Sequence, residues 1–294
     1  MSNLRAWIHS TRPKTLPASL APVFIGSSYS YYLGKFDWLI FGLICLISLL
    51  VQISTNFIND IYDFKNGVDN INRIGPKKSL FTGAISLSQM KTASILIMFL
   101  TFMIGLWVCS MTSWWLMPAG ILSMLFAWAY TGGPYPLSSK GLAEPFVFIF
   151  FGLVATNGTI FAFTNEISQI GVYASFMPGL LSTTLLMVNN IRDIENDSQV
   201  GKMTLEVRLG KEKSVKLFNF LVTAALLVPI FMVLTYQNFL FFIPLIAVPL
   251  YGRLSKYIDK YQGKELNKLL ALNGILLILN GLLTSLTFIF MKIL

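Results

Sequence analysis

WLIFGLICLISLLVQISTNFINDIYD, residues 38–63, starts as an almost unbroken apolar run and ends in Asn56, Asn59, Asp60 and Asp63. Its length suits a membrane-crossing helix, which needs about 20 apolar residues. Its end does not. Carboxylates at a helix C-terminus meet the negative end of the macrodipole, at roughly 0.3–1 kcal/mol apiece, and an acid at mid-membrane costs about 2.5–3.5 kcal/mol on insertion scales. The fold therefore depends on whether the rest of the chain is membrane-embedded, and the function on what positive partner offsets these acids.

The 294-residue chain is 55% hydrophobic and only 12% charged, a composition outside the range of water-soluble domains. Nine apolar stretches read as spans, at residues 15–34, 38–60, 92–109, 113–131, 143–163, 172–191, 215–235, 238–252 and 270–291, with Pro244 and Pro249 interrupting the eighth. The expectation is an all-α integral membrane protein, one polytopic domain over residues 1–294. An odd number of spans puts the termini on opposite sides. Only Lys35 and Lys292 of the 22 Lys and Arg residues then fall on the side away from the N-terminus. By the positive-inside rule the N-terminus and the basic loops are cytoplasmic and the C-terminus lies across the membrane. Topology and contact with anionic lipid account for the net charge of +9, so nucleic acid is not expected as a partner. The first 14 residues are polar and basic, and the stretch after them is long enough to stay in the membrane, so no cleaved signal is expected.

Cys45 and Cys109 fall inside spans without CxxC spacing, and His9 is the single histidine. A disulfide framework, a cysteine or HExxH zinc site and a histidine triad are thereby excluded. The chemistry must use carboxylates, amides, tyrosines and cations. NFINDI at 56–61 has an echo in NNIRDI at 189–194. Each closes an inbound span, the second and the sixth, which suggests a repeated group of helices. Residues three and four apart share a helix face, so Asn56, Asn59, Asp60 and Asp63 form one stripe. Asp193 and Asp197 form another, with Asn189 and Asn190 a turn above. Two carboxylate pairs beside loops rich in Lys and Arg suit Mg2+, which is held by one or two carboxylates together with substrate phosphates. Asp69 and Glu195 lie close enough in sequence to join them, whereas Asp259 and Glu265 read as surface charges.

NDIYD at 59–63 and DIEND at 193–197 resemble the two aspartate-rich motifs of the UbiA superfamily of intramembrane prenyltransferases. RPKTLPAS at 12–19, RIGPKK at 73–78, YTGGPYPL at 130–137, GLAEPFVFIFFG at 141–152 and NNIRDIENDSQVGKMTLEVRLG at 189–210 are similar to its MenA-type branch, which acts on 1,4-dihydroxy-2-naphthoate. The likeness departs at Gly67, where a third acid of the first motif would stand, with Asp69 two residues on. It departs again at Asn72, where an acid often precedes the arginine, and at Lys78, where arginine is frequent.

The resemblance implies nine transmembrane helices around a central cavity in the inner (cytoplasmic) membrane. It implies catalysis by Asp60, Asp63, Asp193 and Asp197, which with Asn59 would hold Mg2+; Asn56, Asp69, Asn189 and Asn190 are further candidates. Arg73, Lys77, Lys202 and Arg208 would neutralise the diphosphate, and Arg12 and Lys14 would contact it or the carboxylate of the acceptor. Tyr62 and Tyr130 would offer π faces to an allylic cation, while Gly132 and Gly133 with Pro134 and Pro136 build a turn. The implied activity is transfer of a polyprenyl group from polyprenyl diphosphate to 1,4-dihydroxy-2-naphthoate, at the ring carbon that bears the carboxylate. Decarboxylation and release of diphosphate accompany it, giving demethylmenaquinol for menaquinone (vitamin K2) biosynthesis. The partners are then the two substrates and membrane lipid. Gly152, Ala155 and Gly158 would either line a groove for the donor tail or serve helix packing. The alternatives are a related enzyme acting on 4-hydroxybenzoate, homogentisate or a porphyrin carboxyl, and, from a different class, a cation-coupled transporter. A transporter predicts acids at mid-membrane on broken helices rather than at one interface. The DGxxAR opening of CDP-alcohol phosphotransferases is absent.

Overall fold

A computed structural model describes residues 3–69, 74–75 and 77–294, and all regular structure among the described residues is helical. A short helix, α1 (Asn3–Ser10), precedes α2 (Pro17–Tyr32), α3 (Trp38–Lys65), α4 (Leu87–Met111) and α5 (Leu116–Ala129). Then come α6 (Ala143–Thr164), α7 (Gln169–Gln199), α8 (Leu205–Tyr236), α9 (Phe239–Lys260) and α10 (Leu266–Ile293). Each apolar stretch of the sequence lies on one of α2 to α10. Among the described residues seven helices are long and apolar enough to cross a membrane. The other two, α2 with 16 residues and α5 with 14, fall short of the roughly 20 that a perpendicular crossing takes.

Local signals set the breaks. Asp37 caps α3, accepting from the Ile40 amide at 2.9 Å, and Ser86 with Gln89 forms a reciprocal capping box at the start of α4. The first half of α9, Phe239–Ala247, is a tighter 3-10 coil that becomes α-helical at Val248. Pro244 and Pro249 lack the amide protons that an α-helix would use there. Gly210 breaks α8 near its start with φ 74° and ψ 166°, a conformation open to glycine. In α6, Ile149–Val154 widens to a π-helix.

Helices α2, α7, α8, α9 and α10 close on one core, with Ile25, Met177, Phe218, Leu254 and Phe288 among its buried side chains. Lipid is as apolar as leucine, so close backbone approach, rather than water exclusion, holds such helices together. A Cβ built on Gly152 would stand 2.7 Å from the Ser175 carbonyl oxygen and 2.8 Å from Gly179 Cα. Gly179→Val should therefore lower the Tm in detergent, since overpacking costs about 1–3 kcal/mol; an unchanged Tm would show that α6 and α7 separate freely. A smaller cluster of Phe57, Ile61, Leu80, Ile85 and Met90 joins α3, α4 and the segment between them. Between these two packed units lies a cavity lined by side chains from Arg12 to Asn189. Among the described residues the lining comes from α2 to α7 and the segments flanking them.

Candidate active site

Helix α3 continues beyond its apolar stretch to Lys65, and Asn56, Asn59, Asp60 and Asp63 are all buried on it. Internal cations make that burial tolerable. Arg12 Nη2 lies 2.5 Å from Asp60 Oδ1. Lys78 is only 5% exposed, and its Nζ lies 2.5 Å from Asp63, 3.2 Å from Asp60 and 3.4 Å from Asp69. Asp69 thus joins the first motif in space. Arg12 has φ 50° and ψ 67°, the left-handed region, which a non-glycine residue enters at about 1–3 kcal/mol. Asn56 holds that loop in place, its amide donating to the Thr11 carbonyl at 2.9 Å and the Thr15 hydroxyl at 3.4 Å. The strained residue is thereby aimed at Asp60. Asn59 accepts a hydrogen bond from the Thr131 hydroxyl.

On α7 the same pattern recurs. Arg192 grips Asp193 with two hydrogen bonds, Nε to Oδ1 at 2.9 Å and Nη2 to Oδ2 at 2.6 Å, and donates from Nη1 to Asn267 on α10 at 2.7 Å. Lys202 Nζ lies 3.3 Å from Asp197 Oδ2. Asn196 donates to the Val68 carbonyl at 3.2 Å, fastening α7 to the turn after α3 and bringing the two motifs to the same end of the bundle. The paired asparagines part company. Asn189 lines the cavity, whereas Asn190 donates to Glu144 Oε1 at 3.1 Å and ties α7 to α6.

Of the other residues singled out in the sequence, Lys14 and Lys77 are exposed. Arg208 donates to the Met203 carbonyl at 3.2 Å and lies against Gly141. Arg73 lies outside the described residues. Glu195, Asp259 and Glu265 are exposed. The Tyr62 hydroxyl accepts from Trp128 Nε1 at 3.1 Å, and its ring covers Gly132. Tyr130 lines the cavity, where its ring can offer a π face. Gly133 turns the chain with φ 76°. Gly152 is a packing residue, while Ala155 and Gly158 line the cavity.

Arg192, Asn196, Thr131 and Glu144 were not legible as site residues. No spacing rule joins an arginine to its immediate neighbour on a helix, and Thr131 and Glu144 reach α3 and α7 only through tertiary packing. Lys78 differs from Lys77 in burial alone.

Among the described residues no ready-made cluster of three metal-binding side chains is present, and Lys78 stands among Asp60, Asp63 and Asp69. The donor set nevertheless fits a hard divalent cation, being carboxylate and amide oxygens throughout. The flanking Arg and Lys side chains fit phosphate oxygens. Beyond this polar end the cavity is walled by Ile44, Ile47, Phe102, Val108, Ile121 and Leu185. A ligand that fills it has an anionic head and a long apolar body.

A multi-pass helical membrane protein with two cation-bracketed acid motifs above an apolar cavity is the class that fold and site define. Residues 19–280 match the UbiA prenyltransferase family, and the chain belongs to that family. It is 34% identical to a 1,4-dihydroxy-2-naphthoate octaprenyltransferase from Haemophilus influenzae, over 96% of this chain and 95% of that one. Its fold matches an apo UbiA homolog from Aeropyrum pernix with a TM-score of 0.72 at 18% identity, covering 95% of this chain and 98% of the other. It also matches a UbiA homolog from Archaeoglobus fulgidus bound to GPP and Mg2+, with a TM-score of 0.67 at 16% identity, covering 98% and 100%.

Proposed function

We propose that this chain transfers a polyprenyl group from polyprenyl diphosphate to 1,4-dihydroxy-2-naphthoate, releasing CO2 and diphosphate and giving demethylmenaquinol in menaquinone biosynthesis. The observation that carries the reading is that Arg12, paired with Asp60, lines the polar end of an apolar cavity together with Asn59 and Asn189, one asparagine from each motif-bearing helix. The naphthoate as acceptor is supported by the activity of the Haemophilus influenzae relative. Asp60, Asp63, Asp193 and Asp197 with Asn59 are the residues to hold Mg2+, and Asp69 is their neighbour on Lys78. When bound, Mg2+ supplies charge neutralisation at the diphosphate.

The remaining work falls to the chain itself. Arg12, Lys78 and Lys202 take up negative charge as the donor C–O bond breaks and its electron pair leaves with diphosphate. The apolar walls keep water from the allylic cation, and Tyr130 presents a π face to it. The acceptor ring carbon bearing the carboxylate attacks; the bond to the carboxylate then breaks, its pair restores the aromatic ring, and CO2 leaves. That route needs no base from the protein. The N-terminus and the acid-bearing ends of α3 and α7 are placed on the cytoplasmic side of the inner membrane, in keeping with the distribution of Lys and Arg.

Purified protein incubated with Mg2+, a polyprenyl diphosphate and each candidate aromatic acid tests the reading. Prenylated naphthoate with CO2 release is expected; prenylated 4-hydroxybenzoate without a naphthoate product would sink it. Chelation by EDTA should bring turnover to background and added Mg2+ should restore it, whereas activity that survives chelation rules out the metal role.

A further inference from the structure

Most hydroxyls in the wall of the cavity are engaged by the backbone: those of Ser48, Thr55, Thr101, Ser123 and Thr159 each donate to a main-chain carbonyl. Two other polar groups of that wall are not. Gln52 Oε1 and Ser182 Oγ are buried without a hydrogen-bond partner among the described residues, and their residues are only 7% and 3% exposed.

Neighbours fix the orientation of Gln52. Thr15 donates its hydroxyl proton to the Arg12 carbonyl at 2.9 Å, so its oxygen can only accept, and it accepts from the Gln52 and Asn56 amides, each at 3.4 Å. Gln52 therefore turns Nε2 to Thr15 and leaves Oε1, which accepts but cannot donate. Ser182 Oγ, by contrast, carries a proton to give. The two groups also share a level. Gln52 stands seven residues before Asn59 on α3, and Ser182 seven before Asn189 on α7, which is two turns and about 10 Å in each case. Residues seven apart lie on one helix face, and both asparagines line the cavity. An isoprenoid chain has neither donor nor acceptor, and leaving buried polar groups unpaired beside it is unfavourable. A ring that bears oxygens fits this level instead.

We infer that Gln52 and Ser182 hold the two hydroxyl oxygens of the aromatic acceptor, Gln52 Oε1 accepting from the 4-hydroxyl and Ser182 Oγ donating to the oxygen at position 1. This rests on the prenyl-transfer reading with the naphthoate as acceptor. The proton of the 1-hydroxyl is held by the adjacent carboxylate, so that oxygen offers lone pairs and needs a donor. The 4-hydroxyl has a free proton and needs an acceptor. The two oxygens stand at opposite corners of the ring. Fixing them at one level, one on each motif-bearing helix, turns the carbon that bears the carboxylate toward Arg12 and the acids, and the fused ring toward the apolar part of the cavity.

The test compares 1,4-dihydroxy-2-naphthoate with 1-hydroxy-2-naphthoate, which lacks the 4-hydroxyl and is used as a competitor of the first. On wild-type protein its inhibition constant should lie about tenfold or more above the KM of the dihydroxy acid, since a site built to pair a hydroxyl rejects the analogue without it. Gln52→Met should raise the KM of the dihydroxy acid by about tenfold and leave the inhibition constant of the analogue within about twofold. Ser182→Ala should raise both by about threefold to tenfold, because both acids carry the oxygen at position 1. The KM for octaprenyl diphosphate should stay near the wild-type value in both variants, which a damaged fold would not allow. An analogue that competes as well as the dihydroxy acid on wild-type protein overturns the inference. So does an equal loss of the two acids in Gln52→Met, or an unchanged KM for the dihydroxy acid in either variant. Wild-type protein that prenylates no naphthoate defeats the prenyl-transfer reading itself, whereas naphthoate prenylation with both variants indifferent defeats only this placing of the acceptor.

Discussion

Asp60→Ala and Asp193→Ala are each expected to lower turnover by about 10²–10³-fold while the protein still inserts in the membrane. Each acid is one of a small set of oxygens facing the place where diphosphate charge develops, and loss of one preorganised group at such a place costs about 10²–10³ in rate. Removing Asp60 also takes a partner from Arg12, at 2.5 Å, and an acid from beside Lys78, at 3.2 Å. Breaking a buried ion pair is worth about 3–5 kcal/mol of stability, so the rate must be measured on protein whose Tm shows it folded. Asp60→Asn keeps the shape and a hydrogen-bonding oxygen; it should keep the fold and lose the rate. Asp259→Ala, exposed and far along the chain, is the control and should act as wild type. Near-normal turnover in either Asp60→Ala or Asp193→Ala, at saturating Mg2+, removes these acids from the site.

Lys78 and Lys77 should behave as opposites. Lys78 is buried among Asp60, Asp63 and Asp69, while Lys77 is exposed. Lys78→Ala leaves three acids crowded with less compensating charge and removes a cation from the leaving group, so turnover should fall by about 10²–10³-fold. Lys78→Arg keeps the charge and should recover much of that loss. Lys77→Ala is a surface change, worth within about 0.5 kcal/mol or roughly twofold in rate. Initial rates for the three variants at matched Mg2+ decide it. A large loss in Lys77→Ala with little in Lys78→Ala would put the diphosphate's cation at the protein surface.

Burial separates these two lysines, and burial is a property of the folded chain. The run RIGPKK presents two adjacent ammonium groups with equal claim, and the sequence-based reading favours Lys77. The same holds for Arg192, which grips its own neighbour Asp193 and which no helical spacing singles out. Gly152 and Gly158 read alike as small residues of one span; one is pressed against Gly179 and the other faces open space. Asp69 stands two residues off the expected motif position, yet the turn after Lys65 brings it to Lys78.

Much else was legible before any coordinates. Among the described residues hydropathy located seven helices of membrane-crossing length and two shorter ones, because a helix in lipid must be apolar along its length and must satisfy its own backbone. The distribution of Lys and Arg supports an orientation, and the repeated Asn-plus-Asp spacing singled out two acid motifs as a candidate site, because helical periodicity alone puts those residues on one face of each helix. What hydropathy cannot measure is how far a helix leans or stops short, so α2 and α5 read as full spans although they hold 16 and 14 residues. The sequence by itself determined the class of fold, the acids and the need for a cation beside them. Only the tertiary structure decided which cations those are and that the cavity lies among α2 to α7. Those outcomes depend on contacts between segments far apart in the chain, and no local period encodes them.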